Sequence, residues 1–181
     1  MYIRHAHRDK WPNVTAFDLY EYTNGIEDAS QSSFKRAVCL SDMGVEEAKL
    51  LGRLFEKFGV PVGPVHTSPS CRAKQTAKLA FGKYDAIDKA LFIISFNEYL
   101  GKPDPLLDFL KNVEIKSGRN TILVGHTNRL EPHQGKGVAG KFSHLQEPGL
   151  HILERTGDKK LTVVFSIPSL HELAVNGGLI P

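Results

Sequence analysis

The sequence predicts an α/β fold, a three-layer α/β/α sandwich with a mostly parallel central sheet. Short, continuous apolar runs, which are typical of buried parallel strands, alternate along the chain with segments of helical periodicity. A length of 181 residues suits one domain, which at this size buries about 70% of its unfolded surface. The pattern contains no internal repeat and no low-complexity segment. We therefore expect a single domain over residues 1–181.

The N-terminal part of the chain is predicted to be a short strand followed by a long loop. The strand covers residues 2–5. Residues 9–36 show no clean apolar period, and they carry Pro12 and the turn dipeptide Asn24-Gly25. Loops of this length inside compact domains are usually functional. We expect residues 9–36 to form an active-site loop or lid with one helical turn at most.

The remaining elements follow from apolar spacing and from turn and capping residues. Ser41 is a suitable N-cap for a helix whose apolar residues recur at helical spacing until Gly59 ends it. The other predicted elements are, in chain order, a strand at 62–67, a helix from 68 to 81, a strand at 91–95, a helix at 105–113, a strand at 121–125 and a closing pair of strands at 152–155 and 161–167. Strands and helices that alternate in this way build a parallel sheet with helices on both faces.

Charge and hydropathy narrow the range of partners. A net charge of +3 suits an anionic small molecule, but the chain has no dense Lys/Arg block of the kind that nucleic-acid binders carry. No apolar run approaches the roughly 20 residues that cross a bilayer. We therefore expect an anionic small-molecule substrate, and neither a nucleic-acid nor a membrane partner. The sequence leaves the oligomeric state open.

The N-terminus and the two cysteines bear on location. No charged segment followed by an apolar stretch marks a signal peptide, so a cytoplasmic location is the default expectation. A periplasmic or secreted location is the alternative if an N-terminal signal has been removed. Cys39 and Cys71 are too far apart in sequence for a metal knuckle, and free cysteines are usually buried, so we interpret them as two buried thiols. The alternative is one disulfide, which would indicate an oxidising compartment.

Three apolar strands end in residues suited to phosphate chemistry. They are Ile3-Arg4-His5, then Val65-His66-Thr67-Ser68 followed by Arg72, and then Ile122-Leu123-Val124-Gly125-His126. Ligands of open α/β sheets bind at the carboxyl ends of the strands, and helices starting near Ser68 and His126 would point N–H groups at the same place. The planar fork of arginine matches phosphate oxygens. Two arginines and two histidines at these strand ends predict a pocket for a dianionic phosphoryl group.

Four motifs, in their order along the chain, resemble the histidine phosphatase superfamily, which includes the phosphoglycerate mutases. They are Tyr2-Ile3-Arg4-His5-Ala6, Leu40-Ser41-Asp42-Met43-Gly44, Thr67-Ser68-Pro69-Ser70-Cys71-Arg72 and Val124-Gly125-His126. The resemblance covers residues 2–126 and is to the mutase-like branch, with Ala6 standing where the family has glycine. It implies the fold of the family and a phosphatase activity that needs no cofactor.

The resemblance also implies roles for the residues at these positions. His5 would be the nucleophile, and it would become a phosphohistidine that water then hydrolyses. Arg4, Arg72 and His126 would hold the phosphoryl oxygens and stabilise the charge that develops on them. We expect His126 to be protonated and His5 to be neutral, since a protonated ring has no lone pair for the attack.

A leaving alkoxide also needs a proton donor. Glu98 follows the third strand, where the mutase-like branch has its acidic donor, and Asp9 is its rival. The acid-phosphatase branch instead has aspartate directly after the second histidine, a position that Thr127 occupies here. We predict that Arg8, Ser68 and Thr127 bind the substrate.

We predict hydrolysis of phosphomonoesters, with a small phosphorylated metabolite or a sugar phosphate as the substrate. Three alternatives use the same fold: a phosphatase that acts on phosphohistidine in a protein, a phosphomutase, and a non-catalytic phosphate-binding domain. A further alternative is a zinc hydrolase in which His5 and His7 bind the metal together with His126 or His133. Because the accompanying arginines repel a cation, we expect no metal site.

Overall fold

The computed structural model describes residues 1–12, 14–25, 32–93, 104–126, 129–130, 135–171 and 174, without the side chains of residues 15 and 32. The strands are β1 (Tyr2–Arg4), β2 (Val62–Thr67), β3 (Ala86–Ile87), β4 (Asn120–Gly125), β5 (Val138–Gly140), β6 (Leu150–Arg155) and β7 (Leu161–Ile167). The helices are α1 (Val14–Asn24), α2 (Ser32–Val38), α3 (Asp42–Lys57), α4 (Cys71–Phe81) and α5 (Leu106–Asn112), and a 3₁₀ turn spans Lys89–Leu91. Within these described ranges, no helix is long and apolar enough to cross a membrane.

In the part of the chain that the structure describes, seven strands form one sheet in the order β3-β2-β4-β1-β6-β7-β5. The neighbours β3, β2, β4 and β1 are all parallel. β6 is antiparallel to both β1 and β7, and β5 is parallel to β7. All strands except β6 therefore run in one direction, which confirms the predicted mostly parallel sheet. The carboxyl ends of β2, β4 and β1 consequently lie side by side.

Apolar side chains cover both faces of the sheet. In β4, Val124 contributes to one core cluster and Leu123 to the other, as the two-residue period of a strand requires. The first cluster includes Leu51 of α3 and Ala73 of α4. The second includes Leu106 of α5. Helices thus pack on both faces, and the predicted three-layer sandwich is confirmed.

Capping residues determine where α3 and α4 begin. The side chains of Ser41 and Ser70 each accept a hydrogen bond from the backbone N–H three residues further on. Gly82 ends α4 with a φ of 72°, a left-handed conformation that glycine adopts without a steric penalty. Because α4 starts directly after the turn that follows β2, Arg72 lies in its first turn, next to the carboxyl ends of the parallel strands.

The prediction of a loop over residues 9–36 is wrong for much of the segment that the structure describes, because α1 and α2 occupy it. The helical period of α1 is not visible in the sequence, because acidic residues of this helix are buried and apolar residues are exposed. Asp18 and Glu21 are buried, whereas Leu19 and Tyr20 are 41% and 50% exposed. Apolar spacing does not reveal a helix whose inward face is acidic.

The prediction of a strand at residues 91–95 is also wrong where the structure describes it. Leu91 ends the 3₁₀ turn and residues 92–93 are not in a strand, while residues 94–95 lie outside the described part of the chain. The strand that pairs with β2 on this side is β3 instead. Leu91 and Phe92 are both 0% exposed, so the turn buries adjacent apolar side chains that look like a strand in the sequence.

Cys39 and Cys71 form a disulfide between the residue after α2 and the first residue of α4. The prediction of two buried free thiols is therefore wrong. Folding brings the two Cα atoms to 4.8 Å, within the range that a disulfide spans, although the residues are 32 positions apart in sequence. The bond attaches α2 to the end of α4 that carries Arg72.

Candidate active site

His5 follows β1 at the carboxyl end of the parallel strands, and its backbone N–H donates to the Gly125 carbonyl at 3.0 Å. In its ring, Nδ1 lies 2.8 Å from the Ala6 carbonyl oxygen and Nε2 lies 3.1 Å from Nε of Arg72. A carbonyl oxygen only accepts and an arginine N–H only donates, so these partners assign the proton to Nδ1 and the lone pair to Nε2. Burial and then the Arg72 charge hold the pKa of His5 well below its usual value. The ring is therefore neutral, with a nucleophilic Nε2.

Arg72 is fully buried and lies between two histidine rings. Nη1 and Nη2 donate to the two carboxylate oxygens of Asp18, at 2.6 and 3.0 Å, and Nη1 also lies 3.5 Å from the Val38 carbonyl oxygen. On its other edge, Nε donates to His5 at 3.1 Å and Nη2 donates to Nδ1 of His126 at 3.3 Å. All the N–H directions of the guanidinium therefore meet an acceptor.

His126 follows β4, and its ring centroid lies 5.1 Å from that of His5. Because Nδ1 accepts from Arg72, the proton is on Nε2, which lies 3.0 Å from Oγ of Ser68 and 3.3 Å from Oγ of Ser70. Burial, and then the charge of Arg72, hold the pKa of His126 well below its usual value. The expectation of a protonated His126 is therefore wrong for this conformation, in which its ring is neutral.

Arg4 ends β1 directly before His5, and its charge contributes to the low pKa of both His5 and His126. Its far end is anchored, because Nη1 donates to the Leu145 carbonyl and Nη2 donates to Oε1 of Glu147, both at 2.5 Å. Its Nε is buried and has no hydrogen-bond acceptor among the described residues. Arg4 can therefore offer this N–H to an anion.

Two of the predicted substrate-binding residues lie near these groups. Arg8 is half-buried, and burial, followed by the charge of Arg72, lowers its pKa. The charge of Arg8 also contributes to the low pKa of His5. Ser68 is buried, and its hydroxyl contacts His126. In this conformation Ser68 supports a histidine of the site.

Glu98 and Thr127 lie outside the described residues, so their predicted roles stay predictions. Residue 128 is also outside, and residues 129–130 are not helical, so the helix expected near His126 is absent from the part of that segment that the structure describes. Asp9, the alternative proton donor, is exposed, and its backbone carbonyl accepts from Arg8 at 3.0 Å.

α1 brings two acidic residues to the site that the sequence analysis did not predict. Asp18 and Glu21 are 1% and 3% exposed, and their spacing places them on one face of the helix. Oε1 of Glu21 accepts from the backbone N–H of Cys71, while Oε2 is buried without a hydrogen-bond partner in the described part of the chain. Burial raises the pKa of Glu21 to about 7. The acidic pair at a spacing of three was the available signal in the sequence.

Two uncharged residues also shape the site. The Tyr2 hydroxyl donates to the His126 carbonyl at 2.7 Å and accepts from the His126 N–H at 3.1 Å. Tyr2 therefore fixes the backbone that carries the second histidine. Ser70 both caps α4 and contacts the His126 ring. Neither was predicted as a site residue, because a buried tyrosine and a helix cap are common features of any core.

The zinc alternative gains no support from the geometry. Nδ1 of His7 lies 2.7 Å from the Ser41 hydroxyl. Across the ranges that the structure describes, no three His, Cys, Asp or Glu side chains are grouped so that they could hold a metal ion. His133 lies outside those ranges.

The arrangement holds an imidazole lone pair and a second imidazole each within hydrogen-bond distance of one guanidinium. Such a group can attack an electrophilic phosphorus through Nε2 of His5. The Arg72 cation and the neutral His126 donor can then stabilise the negative charge that develops on the phosphoryl oxygens. The chemistry that this geometry supports best is therefore transfer of a phosphoryl group to His5.

No family model and no curated protein matches the sequence. Solved structures do match. The protein histidine phosphatase SixA complexed with tungstate gives a TM-score of 0.59 at 17% identity, covering 95% of this chain and 98% of that chain. A phosphoserine phosphatase from Entamoeba histolytica in complex with 3-phosphoglyceric acid gives 0.53 at 14% identity, covering 94% and 96%. A histidine-to-alanine variant of phosphoserine phosphatase from the same organism, in complex with phosphoserine, gives 0.52 at 14% identity, covering 92% and 94%. This chain has the fold of the histidine phosphatases, as its four motifs predicted.

Proposed function

We propose that the protein hydrolyses phosphomonoesters through a phosphohistidine on His5. The observation that carries the proposal is the neutral Nε2 of His5, which lies 3.1 Å from the Arg72 guanidinium. A nucleophile beside a fixed cation suits phosphoryl transfer, because charge is spread over the phosphoryl oxygens in the transition state. The likeness in fold to solved phosphatases supports the same conclusion.

In the first step, the Nε–H of Arg72 shifts from Nε2 of His5 to a phosphoryl oxygen, the freed Nε2 lone pair attacks phosphorus in line, and the bond from phosphorus to the ester oxygen breaks. The Nδ1–H of His5 remains donated to the Ala6 carbonyl, which stabilises the positive charge that the ring acquires. Arg72 and the available Nε–H of Arg4 hold the phosphoryl oxygens. The leaving oxygen takes a proton from Glu98, the donor that we propose.

In the second step, a water molecule attacks phosphorus and the bond from phosphorus to Nε2 breaks. The electron pair returns to Nε2, and inorganic phosphate leaves. The carboxylate of Glu98 takes the proton that the water loses, so that both residues regain their initial protonation states. The cycle balances with water as the only co-reactant.

We propose a small phosphorylated metabolite or a sugar phosphate as the substrate, with Arg8, Ser68 and Thr127 in contact with it. Arg8 is half-buried, and its charge acts on Arg72 and His5, which suits a contact with an anionic or hydroxylated part of such a molecule. A second candidate is phosphohistidine on a protein, which the likeness to the protein histidine phosphatase SixA favours. Comparison of kcat/KM for sugar phosphates and for a phosphohistidine peptide distinguishes the two.

We also propose that the protein works in an oxidising compartment, such as the periplasm or the cell exterior. The Cys39–Cys71 disulfide supports this location over the default expectation of the cytoplasm, because thiols are kept reduced in most cytosols. Thiol labelling of the protein as isolated tests it. Labelling of both cysteines without prior reduction would contradict the proposal.

Hydrolysis of para-nitrophenyl phosphate by wild type and His5→Ala, each with and without EDTA, tests the function. The matched control is His66→Ala, because His66 also lies on a parallel strand but contacts Asp88 at 2.7 Å, away from the site. We expect wild type and His66→Ala to be active with EDTA, and His5→Ala to lose turnover almost completely. An acid-labile phosphate label should appear on His5 alone. Turnover that survives in His5→Ala contradicts the proposal, and loss of wild-type activity with EDTA supports the metal alternative.

A further inference from the structure

Two carboxylates of α1, those of Asp18 and Glu21, accept hydrogen bonds from donors that a phosphoryl group needs. We propose that α1 is a lid whose Asp18 and Glu21 compete with the phosphoryl group of the substrate, which binds by displacing them from Arg72 and from the start of α4. The inference rests on the proposed function, because it concerns how the same phosphate site is filled.

Asp18 occupies the part of Arg72 that binds phosphate best. Nη1 and Nη2 donate to its two oxygens at 2.6 and 3.0 Å. A guanidinium uses this two-pronged arrangement for carboxylates and phosphates alike. The remaining N–H directions of Arg72 meet His5, His126 and Val38. Every N–H of Arg72 therefore already has an acceptor. A phosphoryl group can bind Arg72 only if it displaces Asp18 or one of these other three acceptors.

Glu21 occupies a backbone donor next to Arg72. Cys71 is the first residue of α4, and the first N–H groups of a helix have no intrahelical acceptor. These N–H groups attract anions, and Oε1 of Glu21 accepts this one. Because Asp18 and Glu21 lie on the same helix face, one movement of α1 withdraws both carboxylates.

The nucleophile is enclosed in this conformation. His5 exposes 3% of its surface, and Arg72 and His126 expose 0%. β1, β4 and α4 contribute residues to the main core cluster, so they are held in place. Among its described residues, α1 contributes to neither of the clusters that cover the sheet; its Phe17 ring contacts Phe34 of α2 at a centroid distance of 5.8 Å, and its Tyr22 ring contacts the buried Phe92 at 4.8 Å. Movement of α1 therefore breaks these ring contacts but leaves both sheet clusters in place.

Exchange of one anion for another keeps Arg72 paired. If α1 moved away by itself, a buried guanidinium would lose its counter-ion, which is strongly unfavourable. A dianionic phosphoryl group replaces the charge of Asp18, so its arrival favours the open position of α1. An uncharged ligand cannot make this replacement. The lid therefore selects for ligands that carry an anionic group.

Calorimetric titration of inorganic phosphate into wild type and Asp18→Asn tests the proposal. Asparagine keeps the shape of the side chain but removes its charge, so we expect Kd for phosphate to fall at least about tenfold, a change worth ~1.4 kcal/mol. The matched control is Asp108→Asn, since Asp108 is an exposed acidic residue on α5. The Kd of this control variant for phosphate should equal that of wild type. Equal or weaker binding by Asp18→Asn overturns the proposal and indicates that Asp18 positions Arg72 for the substrate.

Hydrogen exchange of wild type provides a second measurement that does not depend on how Asp18→Asn folds. We expect phosphate to accelerate amide exchange in α1 and not in α4, whereas unchanged or slower exchange in α1 overturns the proposal. Turnover of para-nitrophenyl phosphate separates this inference from the proposed function. If Asp18→Asn turns over substrate but binds phosphate with the affinity of wild type, the lid is overturned and the proposed function stands. If Asp18→Asn binds phosphate more tightly than wild type but neither protein turns over substrate, the proposed function is overturned and the lid stands. Absence of phosphate binding in both proteins overturns both.

Discussion

Glu21 is expected to make wild-type protein less stable as the pH rises from 5 to 8. Burial raises the pKa of its carboxyl group to about 7 in the folded protein, from an ordinary value of 4.5. A group with a raised pKa binds more protons in the folded state than in the unfolded state between these two values. Its stabilising contribution is therefore fully present below about pH 4.5 and is lost as the pH rises through about 7.

The magnitude follows from the size of this change. A rise from 4.5 to about 7, at ~1.4 kcal/mol per pH unit, is worth about 3 kcal/mol, most of which lies between pH 5 and pH 8. Buried histidines act in the opposite direction. Burial lowers the pKa of His151 to about 4 and that of His5 and His126 well below the usual value, so these residues stabilise the fold as the pH rises towards 6.5. A single pH profile therefore mixes two opposite effects.

Comparison with Glu21→Gln isolates the contribution of Glu21, because glutamine has a similar shape and does not titrate. The assay is urea unfolding at pH 5 and pH 8, which gives the free energy of unfolding for each protein. We expect the value for wild type, relative to the variant, to fall by about 2 to 3 kcal/mol between these pH values. Glu46→Gln, which changes an exposed glutamate of α3, is the control. Its free energy of unfolding should fall between pH 5 and pH 8 as much as that of wild type does. A difference between wild type and Glu21→Gln that does not vary with pH would refute the reasoning.

The proposed chemistry gives three further expected outcomes. Arg72→Lys should lower kcat/KM for aryl phosphates by about 10² to 10³, because an ammonium group cannot contact the rings of His5 and His126 and the phosphoryl oxygens at once. A loss of less than tenfold in steady-state kinetics would contradict this expectation. Glu98→Gln should slow esters with poor leaving groups by ~10² to 10⁴ and activated aryl esters far less, so equal losses would exclude Glu98 as the proton donor. Ser68→Ala should lower kcat about tenfold, because it removes one acceptor for the His126 ring, and Ser68→Thr should restore most of the rate.

The cluster of His5, Arg72 and His126 could be predicted from the sequence because it follows from strand ends. Each residue comes directly after a buried parallel strand or in the first turn of the helix behind one. Since β2, β4 and β1 are neighbours in the sheet, their carboxyl ends bring the three side chains into hydrogen-bond contact. The motifs supplied the roles of these residues, which the experiments above test.

The partners of the cluster could not be predicted in the same way, because they depend on tertiary contacts. Asp18 and Glu21 are buried through an ion pair and a backbone N–H, so the helix that carries them lacks an apolar stripe. Similarly, His126 follows a buried strand in the sequence, but its protonation depends on the burial and the positive charge around it, which only the assembled site reveals.

The disulfide stabilises the same end of α4 that binds Glu21. Cys39 and Cys71 are 32 residues apart, and closing a loop of that length is worth about 4 kcal/mol in the chain-entropy model. We therefore expect a reductant to lower the free energy of unfolding of wild type by roughly this amount. The double variant Cys39→Ser/Cys71→Ser should have the lower stability and should not respond to the reductant.

Packing around the bond offers the competing explanation for how α2 is held. Phe34 and Val38 form a small buried cluster with Cys71, and this apolar contact survives reduction. Urea unfolding with and without reductant, combined with labelling to show that both thiols are free, separates the two contributions. If the unfolding curve of the reduced wild type matches that of the oxidised protein, the apolar cluster is sufficient and the disulfide adds nothing. If the curve shifts as expected, the disulfide itself contributes to stability, because the loop that it closes in the oxidised protein restricts the unfolded chain and reduces the entropy gained on unfolding.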